Sequence, residues 1–136
     1  MLCLDTSALL DSMGRGGARR RRDVFAAQHR HVFNGLSLAT TRLNVAELWV
    51  GIERARDRDQ ELSRVESALD GVEILEFNES SARLFGKFTA HLLGMGRPVG
   101  DLDVLIASVA MANGCALLTG NARHFSDIPG LVVETY

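Results

Sequence analysis

Apolar and polar positions alternate along this chain in two rhythms. Short β-like apolar runs fall at Met1–Leu4, Leu36–Ala39, Val72–Phe77, Cys115–Thr119 and Leu131–Glu134. Longer segments with helical spacing separate them, at Ser7–Asp11, Arg19–Asn34, Thr41–Arg56, Asp59–Leu69, Glu79–Leu93 and Leu102–Asn113. Strands alternating with helices predict an α/β fold with a mainly parallel sheet of about five strands. Asn34-Gly35 and Asn113-Gly114 read as helix stops, because glycine enters the left-handed region at little cost. The breaker-rich stretch Gly94-Met95-Gly96-Arg97-Pro98-Val99-Gly100 reads as a loop into the last long helix. That helix is apolar on nearly every side, so it needs cover from the sheet and from a second surface, either a neighbouring helix or another copy of the chain.

The 136 residues, 46% hydrophobic and 24% charged, suit a single domain spanning 1–136 with a real core. No apolar run approaches the roughly 20 residues that span a bilayer, and no leader-like start is evident, so the chain is expected in the cytoplasm with no membrane contact. Cys3 and Cys115 sit in strand-like segments without metal-type or redox-type spacing, which predicts reduced core residues. The formal net charge of −2 argues against a generally basic nucleic-acid binder. Basic residues are nonetheless concentrated: Arg15, Arg19, Arg20, Arg21 and Arg22 crowd one segment, and Lys87 is the lone lysine. Arginine suits bidentate phosphate contacts.

In open parallel sheets, functional groups gather beyond the carboxyl ends of the strands. That rule selects Asp5 after the first strand, Asp101 and Asp103 at the head of the apolar helix, and Asn121 past the strand Cys115–Thr119. Glu47 lies inside the helix after the second strand, opposite a stripe of Val45, Leu48, Trp49 and Ile52, with Gly51 leaving an open patch beside it. Each acid has a plainer reading: Asp5 and Asp101 as helix N-caps, Glu47 as a solvated side chain, Gly51 as a close-packing site. Asp101 and Asp103 diverge by roughly 200° on a helix, so only one can face a given ion. Asp103, on the face of Ala107 and Ala110, is the better placed. A few oxygen ligands from separate elements suit a hard divalent cation, and clustered carboxylates without one repel each other. His29, His31, His91 and His124 are scattered and read as surface or packing residues.

Four blocks then resemble one known family, the PIN domains, and within it the VapC-type toxins. Leu4-Asp5-Thr6-Ser7 resembles the strand-end D-T-S, and Asn44-Val45-Ala46-Glu47-Leu48-Trp49-Val50-Gly51 the helical E-L-x-x-G block. Gly100-Asp101-Leu102-Asp103-Val104-Leu105-Ile106-Ala107 is similar to G-x-x-D-x-L-I-A, which assigns the family acid to Asp103. Thr119-Gly120-Asn121-Ala122-Arg123-His124-Phe125 is similar to T-x-N-x-x-x-F, and Pro129-Gly130-Leu131 to the turn before the last strand. The resemblance covers nearly the whole chain and implies a three-layer α/β/α fold.

It also implies a Mg²⁺-dependent endoribonuclease, with Mn²⁺ as substitute, in which Asp5, Glu47 and Asp103 bind the ion and Asp101 reaches it through water. Many PIN nucleases carry aspartate at the position of Asn121, whose neutral amide suits orienting water. Thr6 and Thr119 offer hydroxyls for substrate or ligand positioning. The implied chemistry is hydrolysis of RNA phosphodiester bonds, and the implied partners are a VapB-type antitoxin, a second copy of the toxin, and operator DNA only through the antitoxin complex. The arginines from Arg15 to Arg22 would overhang the acidic site and hold RNA or antitoxin, unless they are a solvated loop. Two rivals stand beside this reading. One is a catalytically inactive PIN-fold protein-binding module, against which the three acids count. The other is an aspartyl phosphatase with Asp5 as nucleophile, against which Ser7 counts, since it stands where a second aspartate is usual.

Overall fold

In the computed structural model, which describes residues 1–97 and 100–136, five strands form one all-parallel sheet. They are β1 (Leu2–Leu4), β2 (Leu38–Thr41), β3 (Glu73–Leu75), β4 (Ala116–Leu118) and β5 (Val133–Glu134), in the order β3-β2-β1-β4-β5. The helices among the described residues are α1 (Thr6–Ser12), α2 (Gly17–Phe33), α3 (Arg42–Arg54), α4 (Arg58–Leu69), α5 (Glu79–Gly94) and α6 (Asp101–Ala112).

Strand alternation divides the core into two layers. Leu2, Leu4 and Leu118 point to one face, where they meet Ala8 and Leu9 of α1, Val24 and Ala27 of α2, Leu48 and Ile52 of α3, and Val65 of α4. Cys3, Ala39, Leu75 and Leu117 point to the other, against Phe88 and Leu92 of α5 and Val104, Ile106 and Ala110 of α6. This is the expected three-layer arrangement. The second cover that the apolar helix α6 requires comes from α5 in the same chain.

β1 is central, pairing with β2 through Leu2↔Leu38 and Cys3↔Ala39, and with β4 through Leu4↔Leu118. The connections leave β1 in opposite directions, which opens a crevice at its carboxyl end. Asp5 stands there, its N–H donating to Leu118 O at 3.0 Å.

Several bounds differ from the sequence reading. β2 begins at Leu38 rather than Leu36, because Gly35 turns the chain with φ 78°. It continues through Thr40, whose hydroxyl donates to Leu4 O at 2.7 Å, to Thr41, the N-cap of α3 rather than its first turn. β3 and β5 are shorter than expected, and a 3₁₀ turn, Ala122–His124, follows β4. Arg19 to Arg22 occupy the early turns of α2, as the helical spacing from Arg19 predicts, which removes the solvated-loop alternative for them. Pro98 and Val99, within the expected loop before α6, lie outside the described residues. Among the described residues, no helix is long and apolar enough to cross a membrane.

Candidate active site

The site begins with a cap. Thr41 closes α3 with a capping box: its hydroxyl accepts the Asn44 N–H at 3.1 Å and donates to Asn44 Oδ1 at 2.7 Å. The amide oxygen of this fully buried asparagine is thereby committed, and its Nδ2 faces the end of β1. There it donates to Asp5 Oδ1 at 3.1 Å and to Thr6 Oγ1 at 3.0 Å.

Asp5 is only 6% exposed and accepts on both oxygens. Oδ2 takes bonds from Thr119 at 2.8 Å and Ser7 at 3.2 Å. Although Asp5 occupies the N-cap position of α1, its side chain makes no cap bond, so the capping explanation is wrong for it. The donors act as an orienting cage. Gly120 N–H donates to Ser7 at 2.9 Å and Asn121 N–H to Thr119 at 3.0 Å, so β4 and the turn after it brace the same carboxylate.

Glu47 reaches the site from α3, where its carboxylate accepts from Thr6. Asp103 reaches it from α6, with Oδ2 3.4 Å from His124 Nδ1. Burial pushes the Glu47 carboxyl above the usual range, with the charges of Asp5 and Asp103 adding to it and Thr6 opposing. Burial likewise raises Asp103, opposed by His124 and reinforced by Asp5. The three carboxylates thus share one field, though each of the outer two is engaged by a neighbour. Among the described residues, no three His, Cys, Asp or Glu side chains gather tightly enough to make a ready ligand set. The donor chemistry, three carboxylates from three separate elements, still fits a hard divalent cation.

Other expected residues are distributed unevenly. Asp101 is exposed in the first turn of α6, and Gly100 is the N-cap in its place. Asn121 is exposed at the turn after β4. Gly51 packs against nothing, since a Cβ there would meet open space, which removes the close-packing explanation. The arginine group disperses. Arg19 and Arg20 line a cavity that also includes Thr119, whereas Arg15 pairs with buried Glu61 at 2.6 Å and Arg21 lies over Phe25. Arg22 is exposed.

Trp49 leaves the buried stripe of α3, being 43% exposed, with Arg58 over its ring. Asn44, from the first turn of α3, is fully buried instead. Asn44, Ser7 and His124 are site residues that the sequence reading missed as such. The signals available were the Thr41–Asn44 spacing of a capping box, Ser7 inside the D-T-S block, and His124 inside the T-x-N-x-x-x-F block.

Comparison with known proteins agrees with this geometry. The PIN domain family model matches residues 2–131. Ribonuclease VapC2 of Rickettsia felis is 30% identical over 100 residues, 74% of this chain and 75% of that protein. The tRNA(fMet)-specific endonuclease VapC of Salmonella typhimurium is 31% identical over 111 residues, 78% and 84% of the two chains. Among solved structures, DNA-bound VapBC from Salmonella typhimurium superposes with a TM-score of 0.83 at 27% identity, covering 99% of this chain and 98% of that one. VapBC-1 from nontypeable Haemophilus influenzae gives 0.85 at 25%, covering 98% and 96%. A caged aspartate at the end of the central strand, with acids converging from α3 and α6, therefore occurs in a chain that belongs to the PIN-domain family, in its VapC ribonuclease branch.

Proposed function

We propose that this chain is a divalent-metal-dependent endoribonuclease, the toxin of a VapBC-type toxin–antitoxin pair, with Asp5, Glu47 and Asp103 as its metal-binding catalytic acids. The observation that carries the proposal is the cage around Asp5: a buried carboxylate held by Asn44, Ser7 and Thr119, beside Glu47 and Asp103, whose proton affinities are raised first by burial and further by the Asp5 charge. A fold tolerates such mutual repulsion at a cost, which bound cations relieve.

PIN-domain VapC nucleases are in general divalent-metal dependent. Mg²⁺ fits the oxygen-only donors, and Mn²⁺ is the natural substitute. When bound, the ion supplies an acidified water and neutralises charge on the phosphate. The chain's own part is positional. Asn44 and Thr119 hold Asp5 in one rotamer, Thr6 links Asn44 to Glu47, and His124 holds Asp103. Asn121, exposed at the turn after β4, is the candidate for orienting water or substrate. Asp101 is a candidate for contact with the ion through water.

The relatives support an antitoxin partner. The two solved structures named above are VapBC complexes, one of them bound to DNA. We assign this chain an RNA substrate, a VapB-type antitoxin, a homodimeric state and operator DNA contact only through the antitoxin complex. The second reading, an inactive PIN module that only binds protein, draws on the engagement of Glu47 by Thr6 and of Asp103 by His124.

One experiment separates them: labelled total RNA and single-stranded DNA incubated with Mg²⁺, Mn²⁺ or chelator, using wild type, Asp5→Ala and Asp103→Asn. Metal-dependent RNA cleavage lost in both variants supports the nuclease. Folded wild-type protein that binds metal and cuts nothing supports the binding module.

A further inference from the structure

Next to the carboxylate crevice lies a cavity of about 360 Å³, lined by Arg19, Arg20, Thr119, Gly120 and Tyr136 among others. Its volume is at the lower end for ligand-sized pockets, about 300–1,000 Å³, and suits a single nucleotide unit. Thr119 links the two places: its hydroxyl donates to Asp5, and the residue is part of the cavity lining.

The wall is built around Arg20. Its Nε donates to Asp11 Oδ2 at 2.9 Å, and Tyr136 donates its hydroxyl to the same oxygen at 2.5 Å. The guanidinium also lies over the Tyr136 ring, 5.8 Å from its centroid. Asp11 is buried, so this anchor is fixed in the fold. Two glycines make room for it: a Cβ at Gly16 would overlap Asp11 Oδ1, and one at Gly120 would overlap Arg20 Nη2. Asp11 takes Nε alone, and the Arg20 side chain remains 49% exposed. A guanidinium oriented by a buried carboxylate, with Nη2 against Gly120 and about half of the side chain exposed in a cavity wall, offers a fixed planar fork suited to a phosphate. Arg19 stands beside it, loosely tied at 3.8 Å to Asp23, an acid of the same lining.

We propose that this cavity is a nucleotide subsite of the ribonuclease, in which Arg20 holds the backbone phosphate of the RNA residue adjoining the one at the carboxylates. The proposal rests on the ribonuclease reading of Asp5. Arg20 is a binding residue here, and Asp11 and Tyr136 are positioning residues that act through it.

The test is binding of a fluorescein-labelled single-stranded oligoribonucleotide in chelator across a salt series, paired with cleavage kinetics in Mg²⁺ and Mn²⁺. Arg20→Ala is expected to weaken binding about tenfold and to flatten the log–log salt slope by about 0.7, the share of one phosphate contact on a single strand. In cleavage the loss falls on KM more than on kcat. Arg20→Lys keeps the charge but not the fork, so it is expected to retain the slope and lose roughly threefold in affinity; it also serves where the alanine variant does not fold. A structural brace alone would not move the salt slope. Wild-type cleavage with an unchanged slope and KM in Arg20→Ala overturns the subsite and leaves the nuclease reading intact. Wild type that neither binds nor cuts RNA overturns both. Unchanged RNA binding, with lost binding of a poly-glutamate peptide, overturns the subsite and gives the cavity to a protein partner.

Discussion

Asn44 donates its side-chain N–H to Asp5 Oδ1 at 3.1 Å, and the Thr41 cap dictates which end of that amide faces the carboxylate. A helix cap and the proposed catalytic carboxylate are thus one hydrogen-bonded unit. Asn44→Ala is expected to cost about 1–3 kcal/mol of stability, since it strands buried partners at both ends. Nuclease activity should fall about 10–100-fold, the usual penalty for losing a residue that orients a metal ligand. Chemical denaturation and single-turnover cleavage measure the two effects. Full activity in a folded Asn44→Ala protein would show that Asp5 needs no such support.

The raised proton affinities of Glu47 and Asp103 bear on stability. Burial, aided by the Asp5 charge, makes the folded state bind these protons more tightly than the unfolded chain does. Stability therefore falls as pH rises from the ordinary carboxylate values to the raised folded ones, and stays reduced above them. In chelator near neutral pH, Glu47→Gln and Asp103→Asn should each melt a few degrees above wild type. Below about pH 4, where the wild-type groups are protonated, that gain should disappear. A melting series across pH decides it, and a gain independent of pH would assign the effect to packing.

Divalent ions should reverse the repulsion. At a Mg²⁺ concentration 100 times the dissociation constant, the wild type should gain about 2.7 kcal/mol. Asp5→Asn, which removes the most buried of the three charges, should gain little. Chelator should return wild type to its metal-free melting point. Equal stabilisation of both proteins by Mg²⁺ would place the ion elsewhere.

Cys3 and Cys115 are buried and unpaired, and burial pushes the Cys3 thiol well above its ordinary range and raises that of Cys115. Thiolate is the reactive form, so neither should react with a thiol reagent in the folded protein, and both should react in denaturant. Rapid labelling of native protein would indicate that the sheet opens locally.

Much of this architecture is legible residue by residue. Leu2, Cys3 and Leu4 alternate as a strand covered on both faces must, and Asp5 follows from the general behaviour of parallel strand ends. What was hidden depended on distant pairing. Thr40 and Thr41 resemble turn and helix residues locally, yet both are fully buried, and Thr40 hydrogen-bonds to β1. Trp49 was assigned to the interior on hydrophobicity, whereas it lies at the exposed edge of α3, and the buried face includes Asn44, whose polarity is satisfied by Thr41, Asp5 and Thr6. Such a polar residue has no apolar signature to reveal its burial. The arginines show the same limit: composition marks the group, but only the fold separates Arg20 at the crevice from Arg15 on Glu61.

The central place of β1 also governs when the enzyme can exist. Asp5 and its partner Thr119 are 114 residues apart in sequence, and Leu4 finds its neighbour on one side only in β4. A ribosome adds about 5–20 residues per second, so for most of synthesis the chain lacks the strand that completes this face. Partial products carry Asp5 and Glu47 but no assembled crevice. A nascent chain therefore has no assembled carboxylate crevice until β4 has emerged.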